Sequence, residues 1–198
     1  MDKTALFKFS YGLFVLTARQ DGKDNGCIIN TAGQLTEDPL QIQIAVSKKN
    51  LTHDMILATG AFNVSVLSEE AVFWVFQHYG FQSGREVDKF QMIPEARTEN
   101  GIRYVEGCAN AVISAKVVNT VDCGSHTLFI AQVTETKTLS SVPSMTYQYY
   151  FDHVKPKPQK QTGKWVCKIC GYVHEGDTLP EDFICPWCKH GVDAFEKQ

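Results

Sequence analysis

Apolar and polar positions alternate at period two through much of the first 153 residues. Leu13-Phe14-Val15-Leu16-Thr17-Ala18 is a β-rich run that stops at the turn pair Asp21-Gly22. Asn25-Gly26 and then Cys27-Ile28-Ile29-Asn30-Thr31 follow. After Pro39, residues 40–46 (LQIQIAV) alternate strictly, and residues 62–67 (FNVSVL) do the same, the pattern of half-buried strands. Residues 111–121 and 127–134 read as two more strands, and Asp122-Cys123-Gly124-Ser125 between them suits a hairpin with a bulged loop. Two helices interrupt the strands. One is expected over 51–59, with Asn50 as cap and Gly60 as stop. The other is expected over 69–79, with Ser68 as cap, acids in its first turn and Gly80 at its end. Strands outnumber helices and hairpin-length links are common, so the pattern predicts a mainly β fold, an antiparallel barrel with peripheral helices.

Periodicity stops at 154–163 (VKPKPQKQTG), which is polar and carries two prolines and a glycine. It reads as a partly extended linker between a domain over 1–153 and a small one over 164–198. The 198 residues are 43% hydrophobic with a net charge of -3, enough for a full core and without a basic block. Nucleic acid is therefore not an expected partner, since neutralising phosphates takes clustered Lys and Arg. No apolar run approaches the ~18 residues of a membrane span, and the first twenty residues lack a leader's cleavage pattern. The expected compartment is the cytoplasm, where thiols stay reduced and free to bind metal.

That matters because the seven cysteines are unevenly spread. Cys27, Cys108 and Cys123 stand alone and read as buried small hydrophobes, though Cys27 falls within a polar cluster. Cys167-Lys168-Ile169-Cys170 and Cys185-Pro186-Trp187-Cys188 are two C-x-x-C knuckles with 14 residues between them. Four thiolates so arranged suit one tetrahedral ion, zinc or iron. A 35-residue segment buries too little apolar surface to fold alone, so the ion must supply folding free energy. Trp165, Tyr172, Phe183, Trp187 and Phe195 are placed to form a small dry core beside it.

The larger segment has no G-x-G-x-x-G after a strand and no G-x-x-x-x-G-K-[ST], so a Rossmann site or P-loop is not supported. It does have two polar clusters, Asn25 to Thr31 and Ser47-Lys48-Lys49-Asn50-Leu51-Thr52-His53. The second opens the first helix, where free N–H groups, hydroxyls and lysines form a natural phosphate seat. The same residues also read as a solvated loop with its cap. His53 and His78 read as helix-surface or satisfied core residues.

The two knuckles, with Gly171-Tyr172, Leu179-Pro180-Glu181-Asp182-Phe183-Ile184 and Gly191-Val192-Asp193-Ala194-Phe195-Glu196, resemble rubredoxin. The stretch between the knuckles is nearer the compact form at the end of rubrerythrin-like proteins. This resemblance favours one iron over zinc at Cys167, Cys170, Cys185 and Cys188. Residues 1–153 resemble the flavin reductase-like, FMN-binding split barrel. The ordered set is Gly12 to Thr17, Asn25-Gly26, Asn30-Thr31, Asp38-Pro39, residues 47–52, residues 60–67, residues 126–130 and residues 143–147. It implies a homodimer, FMN held at its phosphate by Ser47, Lys49, Asn50 and Thr52, and Asn30 and Thr31 along the ribityl chain and ring edge. His126 would sit by the ring where nicotinamide stacks, although a lone histidine between loop and strand also reads as a structural hydrogen-bonder. Together the halves imply an NAD(P)H-dependent oxidoreductase passing electrons through FMN to iron and on to an acceptor such as a flavodiiron protein. A reductase releasing free reduced FMN, or a non-catalytic FMN-binding protein with a zinc ribbon, are the competing readings.

Overall fold

The computed structural model describes residues 2–91, 93–156, 164–176 and 178–197. Seven strands form one antiparallel sheet: β1 (Phe14–Gln20), β2 (Lys23–Ile29), β3 (Gly33–Thr36), β4 (Gln41–Ser47), β5 (Ala61–Leu67), β6 (Ala109–Asp122) and β7 (His126–Thr138). Their order across the sheet is β2-β1-β5-β6-β7-β4-β3. In a flat sheet β2 and β4 would lie five strand spacings apart, about 24 Å. Instead Cys27 and Ile29 of β2 share one buried cluster with Ile42, Ile44 and Val46 of β4 and with Phe62, Val64 and Phe129. The sheet has curled into a barrel around that cluster, as the alternating pattern predicts.

Helix α1 (Leu51–Thr59) plugs one side, putting Met55 and Ile56 into the same core. Its ends fall where the sequence sets them. Asn50 occupies the cap position in extended backbone but makes no side-chain cap bond, and Gly60 closes the helix in the left-handed region at φ 68. Helix α2 (Phe73–Gly80) starts four residues later than expected, with Val72 rather than Ser68 before it. The cause is tertiary. Ser68 donates its backbone N–H to Cys108 and pairs in a bridge with Ser144, while Glu69 donates to Pro143. Those strand-like pairings take the residues that local propensity would give to the helix. β6 and β7 both run past their expected ends, and the bulges lie within the strands, at Ser114/Ala115 and Val117/Asn119, rather than in the connecting loop.

A separate sheet joins β8 (Trp165–Cys167), β9 (Val173–His174) and β10 (Phe195–Lys197) in the order β10-β8-β9. A short helical segment over 147–154 leads out of the larger sheet. Of the expected linker over 154–163, residues 157–163 lie outside the described residues. Among the described residues no helix is long and apolar enough to cross a membrane.

Candidate functional site

The two C-x-x-C knuckles fold as near copies of each other. Gly171 N–H donates to Cys167 O at 2.8 Å, and Lys189 N–H donates to Cys185 O at 2.9 Å. Each knuckle is followed by a left-handed residue, Gly171 at φ 83 and Lys189 at φ 61. Cys167, Cys170, Cys185 and Cys188 are all buried, and their four sulfurs lie within 4.8 Å of one another. Cys167 Sγ and Cys188 Sγ are 3.6 Å apart, Cys170 Sγ and Cys185 Sγ 3.5 Å. A tetrahedral ion with metal–sulfur bonds of about 2.3 Å needs sulfur–sulfur edges of about 3.8 Å, so the cage fits one four-coordinate ion. Burial opposes the charged thiolate, whereas the N–H groups of Ile169 and Cys170 at Cys167, Tyr172 at Cys170 and His190 at Cys188 favour it. Trp165, Tyr172, Phe183 and Trp187 pack against the cluster, and Phe195 is buried within it.

The second feature is a cavity of about 220 Å³ where β2, the start of α1 and the loop after α2 meet. Lys49, Asn50 and Thr52 line it from the α1 side. Asn25, Cys27 and Lys89 line it from within the fold. Asn25 Nδ2 donates to Thr52 Oγ1 at 2.9 Å. Lys89 is only 3% exposed, and its Nζ donates to the carbonyls of Gly26 and Tyr79, both at 2.9 Å. An ammonium has three protons, so one remains for a ligand. Burial brings Lys89 down to about 8, with nearby Cys27 acting in the opposite direction. Burial also pushes the Cys27 thiol up, against weaker pulls from Thr52, Lys89 and Asn50.

The loop over 80–84 lies close on β2. A Cβ at Gly84 would fall 2.0 Å from Asn25 Oδ1, and one at Gly26 3.1 Å from the Tyr79 ring. The walls therefore present amide, hydroxyl and ammonium groups at the N-terminus of a nine-residue helix, a donor set that fits a phosphate monoester. At about 220 Å³ the cavity is smaller than the roughly 300–1,000 Å³ of a typical small-ligand site. It has room for a cofactor's polar tail. An adjoining cleft of about 560 Å³ shares Asn25, Leu51 and Gly84 with it.

The remaining candidates lie outside the lining of this cavity. Ser47 ends β4 directly opposite His126 at the start of β7. Ser47 O accepts from Asn50 N at 3.0 Å, and its Oγ accepts from Lys49 N at 3.4 Å. His126 is exposed, its Nδ1 2.9 Å from Ser125 Oγ. Thr31 Oγ1 donates to Ala45 O at 2.6 Å and accepts from Ala45 N at 3.3 Å, so this hydroxyl ties the strand edge. Asn30 is half-buried just after β2. Of the lone cysteines, Cys27 is buried as expected, Cys108 is half-buried and Cys123 is exposed. Cys123 departs from the expectation because it sits in the β6–β7 turn, where residues 121–126 are all exposed. His53 is a satisfied core residue, with Nε2 2.8 Å from Thr127 Oγ1, and His78 Nε2 lies 2.7 Å from Lys89 O.

Asn25 falls in the first polar cluster of the sequence, whereas Gly84 and Lys89 carry no local signal as cavity residues. Lys89 reaches Gly26 across 63 positions, a pairing that only the tertiary fold creates.

A family model for the flavin reductase like domain matches residues 6–157, and one for the rubrerythrin, rubredoxin-like domain matches residues 165–196. The chain belongs to the flavin reductase-like family and carries a rubredoxin-like domain after it. Over their full lengths it is 36% identical to the high molecular weight rubredoxin of Moorella thermoacetica. It is 38% identical to the ferric-chelate reductase (NAD(P)H) of Archaeoglobus fulgidus over 76% of this chain and 89% of that one. A solved FMN-binding protein from Thermus thermophilus superposes with a TM-score of 0.62 at 25% identity, covering 68% of this chain and 74% of that chain. The protein is thus an oxidoreductase of the electron-transport class, with an FMN-binding fold and a four-cysteine site for iron.

Proposed function

We propose that this protein takes a hydride from NADH or NADPH at FMN and delivers the electrons singly through its iron centre to a separate acceptor. The division into 1–153, a linker over 154–163 and a metal domain over 164–198 belongs to this reading. The observation that carries it is the buried four-sulfur cage in the same chain as a flavin reductase-like fold. A reductase that only releases reduced flavin has no use for a tethered one-electron centre. Flavin chemistry converts a two-electron hydride donor into the single-electron deliveries that one iron requires.

In this reading Lys49, Asn50, Thr52, Asn25 and Lys89 hold the FMN phosphate. Ser47, Asn30 and Thr31 shape the sheet edge beside it, and His126 stands at the neighbouring strand start, where nicotinamide would approach. Cys167, Cys170, Cys185 and Cys188 ligate the iron. The protein works as a cytoplasmic homodimer, and its acceptor is a flavodiiron protein or another soluble redox partner. Similarity to a full-length high molecular weight rubredoxin supports the ordering of the parts. Replacing one iron ligand separates the steps. Cys170→Ser is expected to abolish electron delivery to an external acceptor while NADH or NADPH still bleaches the flavin. Equal loss of both would mean that iron does not lie downstream of flavin.

A further inference from the structure

Phe73 and Phe81 belong to the flavin reductase-like part of the chain, yet both pack against the buried cluster made by the four cysteines, Ala194 and Phe195. Their rings lie 6.0 Å apart, at the two ends of α2. The Phe73 ring centre is 5.7 Å from that of Trp187, which sits between Cys185 and Cys188, and Trp187 lies 5.5 Å from Tyr172. Phe73 also packs on the buried cluster of Val75, Phe76 and Tyr79 within its own domain. Phe81 has a second contact of another kind, since it lines the cavity that holds Thr52 and Lys89. A further close approach lies between the metal domain and the start of the linker. Gly171, in the left-handed region after Cys170, lies so near Pro156 O that a Cβ there would be 3.0 Å away.

We propose that α2 is a docking platform for the metal domain of the same chain, and that Phe81 forms the wall between the cofactor cavity and the iron core. The inference rests on the reading of that cavity as the flavin site. Phe73 and Trp187 hold the domain in place, and Phe81 is the positioning residue that makes one side chain part of both sites. The cavity takes the phosphate end of the cofactor, so docking at Phe81 fixes how far the iron lies from the flavin, and the transfer between the two is balanced simply. One electron leaves the nicotinamide-reduced flavin, iron(III) becomes iron(II), and the proton that accompanies flavin oxidation goes to solvent. Aromatic pairs at these separations have favourable geometry, and a docked domain holds donor and acceptor closer than a free tether does. Ile169 and Ile184, inside and beside the knuckles, stay exposed with the contact in place, so a face of the docked domain remains open to an external acceptor.

The test uses the full chain loaded with FMN and iron, with zinc-substituted protein as the diamagnetic reference. Iron is expected to broaden the NMR amide signals of residues 73–84 relative to zinc, while signals from the β6–β7 turn stay sharp. Phe73→Glu, which places a carboxylate in the contact, is expected to restore the α2 signals and slow iron reduction at least roughly tenfold in single-turnover stopped flow, as a docked pair becomes a tethered one. Trp187→Gln approaches the contact from the other side and should do the same, which covers the case in which Phe73→Glu fails to fold. Sharp α2 signals in the iron protein would overturn docking, as would an unchanged rate of iron reduction in an undocked variant. If α2 is broadened but nicotinamide never reduces the iron, docking stands and the electron-transfer reading fails. If iron is reduced with α2 unbroadened, the electron-transfer reading stands and docking fails.

Discussion

Thr52 is fully buried with its hydroxyl bonded to Asn25, so shortening it acts on two groups at once. Thr52→Ala leaves the Asn25 amide short of a partner at a cost of about 1–3 kcal/mol. Combined with Ser47→Ala it should lower FMN retention through desalting, and unchanged retention would place the phosphate elsewhere. Lys89 adds a pH dependence. Burial brings it from 10.5 to about 8, so the unfolded chain holds more protons between those values and cofactor-free stability rises with pH across that window. The charge that attracts a phosphate is present below about 8 and fades above it, and a bound phosphate moves that onset upward. FMN affinity measured by flavin fluorescence should therefore fall as pH rises past 8, and Lys89→Met should flatten the profile. A flat profile in the native protein would remove Lys89 from the site. At this scale the sequence shows what local chemistry marks. Four cysteines in two knuckles, and Lys49, Asn50 and Thr52 at a helix start, are visible because spacing and a helix N-terminus define them. Lys89 is not, because its role depends on which distant backbone it meets.

The elements show the same division between local and distant causes. α1 begins and ends where Asn50 and Gly60 set it, and strict alternation marks β4 and β5. α2 starts late because its intended cap is engaged by Cys108 and Ser144, partners 40 and 76 positions away that no local pattern announces. At the position that follows each knuckle, one has Gly171 and the other Lys189, both left-handed. A lysine there pays a steric penalty that glycine avoids, offset in part by glycine's greater unfolded-state freedom. Lys189→Gly should stabilise the metal domain by up to about 1 kcal/mol, read as slower loss of metal to a chelator. Faster loss would mean that the Lys189 side chain contributes more to the knuckle than its backbone conformation costs.

At the scale of the whole molecule, a curled antiparallel sheet sets a cavity between the start of α1 and the end of α2, and aromatic residues at the two ends of α2 pack on the core of a thiol-caged domain. The barrel and the cage were legible in advance because period-two alternation and cysteine spacing are strong patterns. The contact between them was not, since Phe73 and Phe81 look like ordinary helix residues until the second domain is in place. The proposed function requires that electrons pass from nicotinamide through flavin to iron within one chain. The most direct check is metal analysis of the purified protein followed by anaerobic titration with NADH or NADPH under a visible spectrometer. One iron and one FMN per chain, with both the flavin and the iron(III)–thiolate bands bleaching, is the predicted result. Zinc in the cage, or iron that stays oxidised beside a fully reduced flavin, would contradict it.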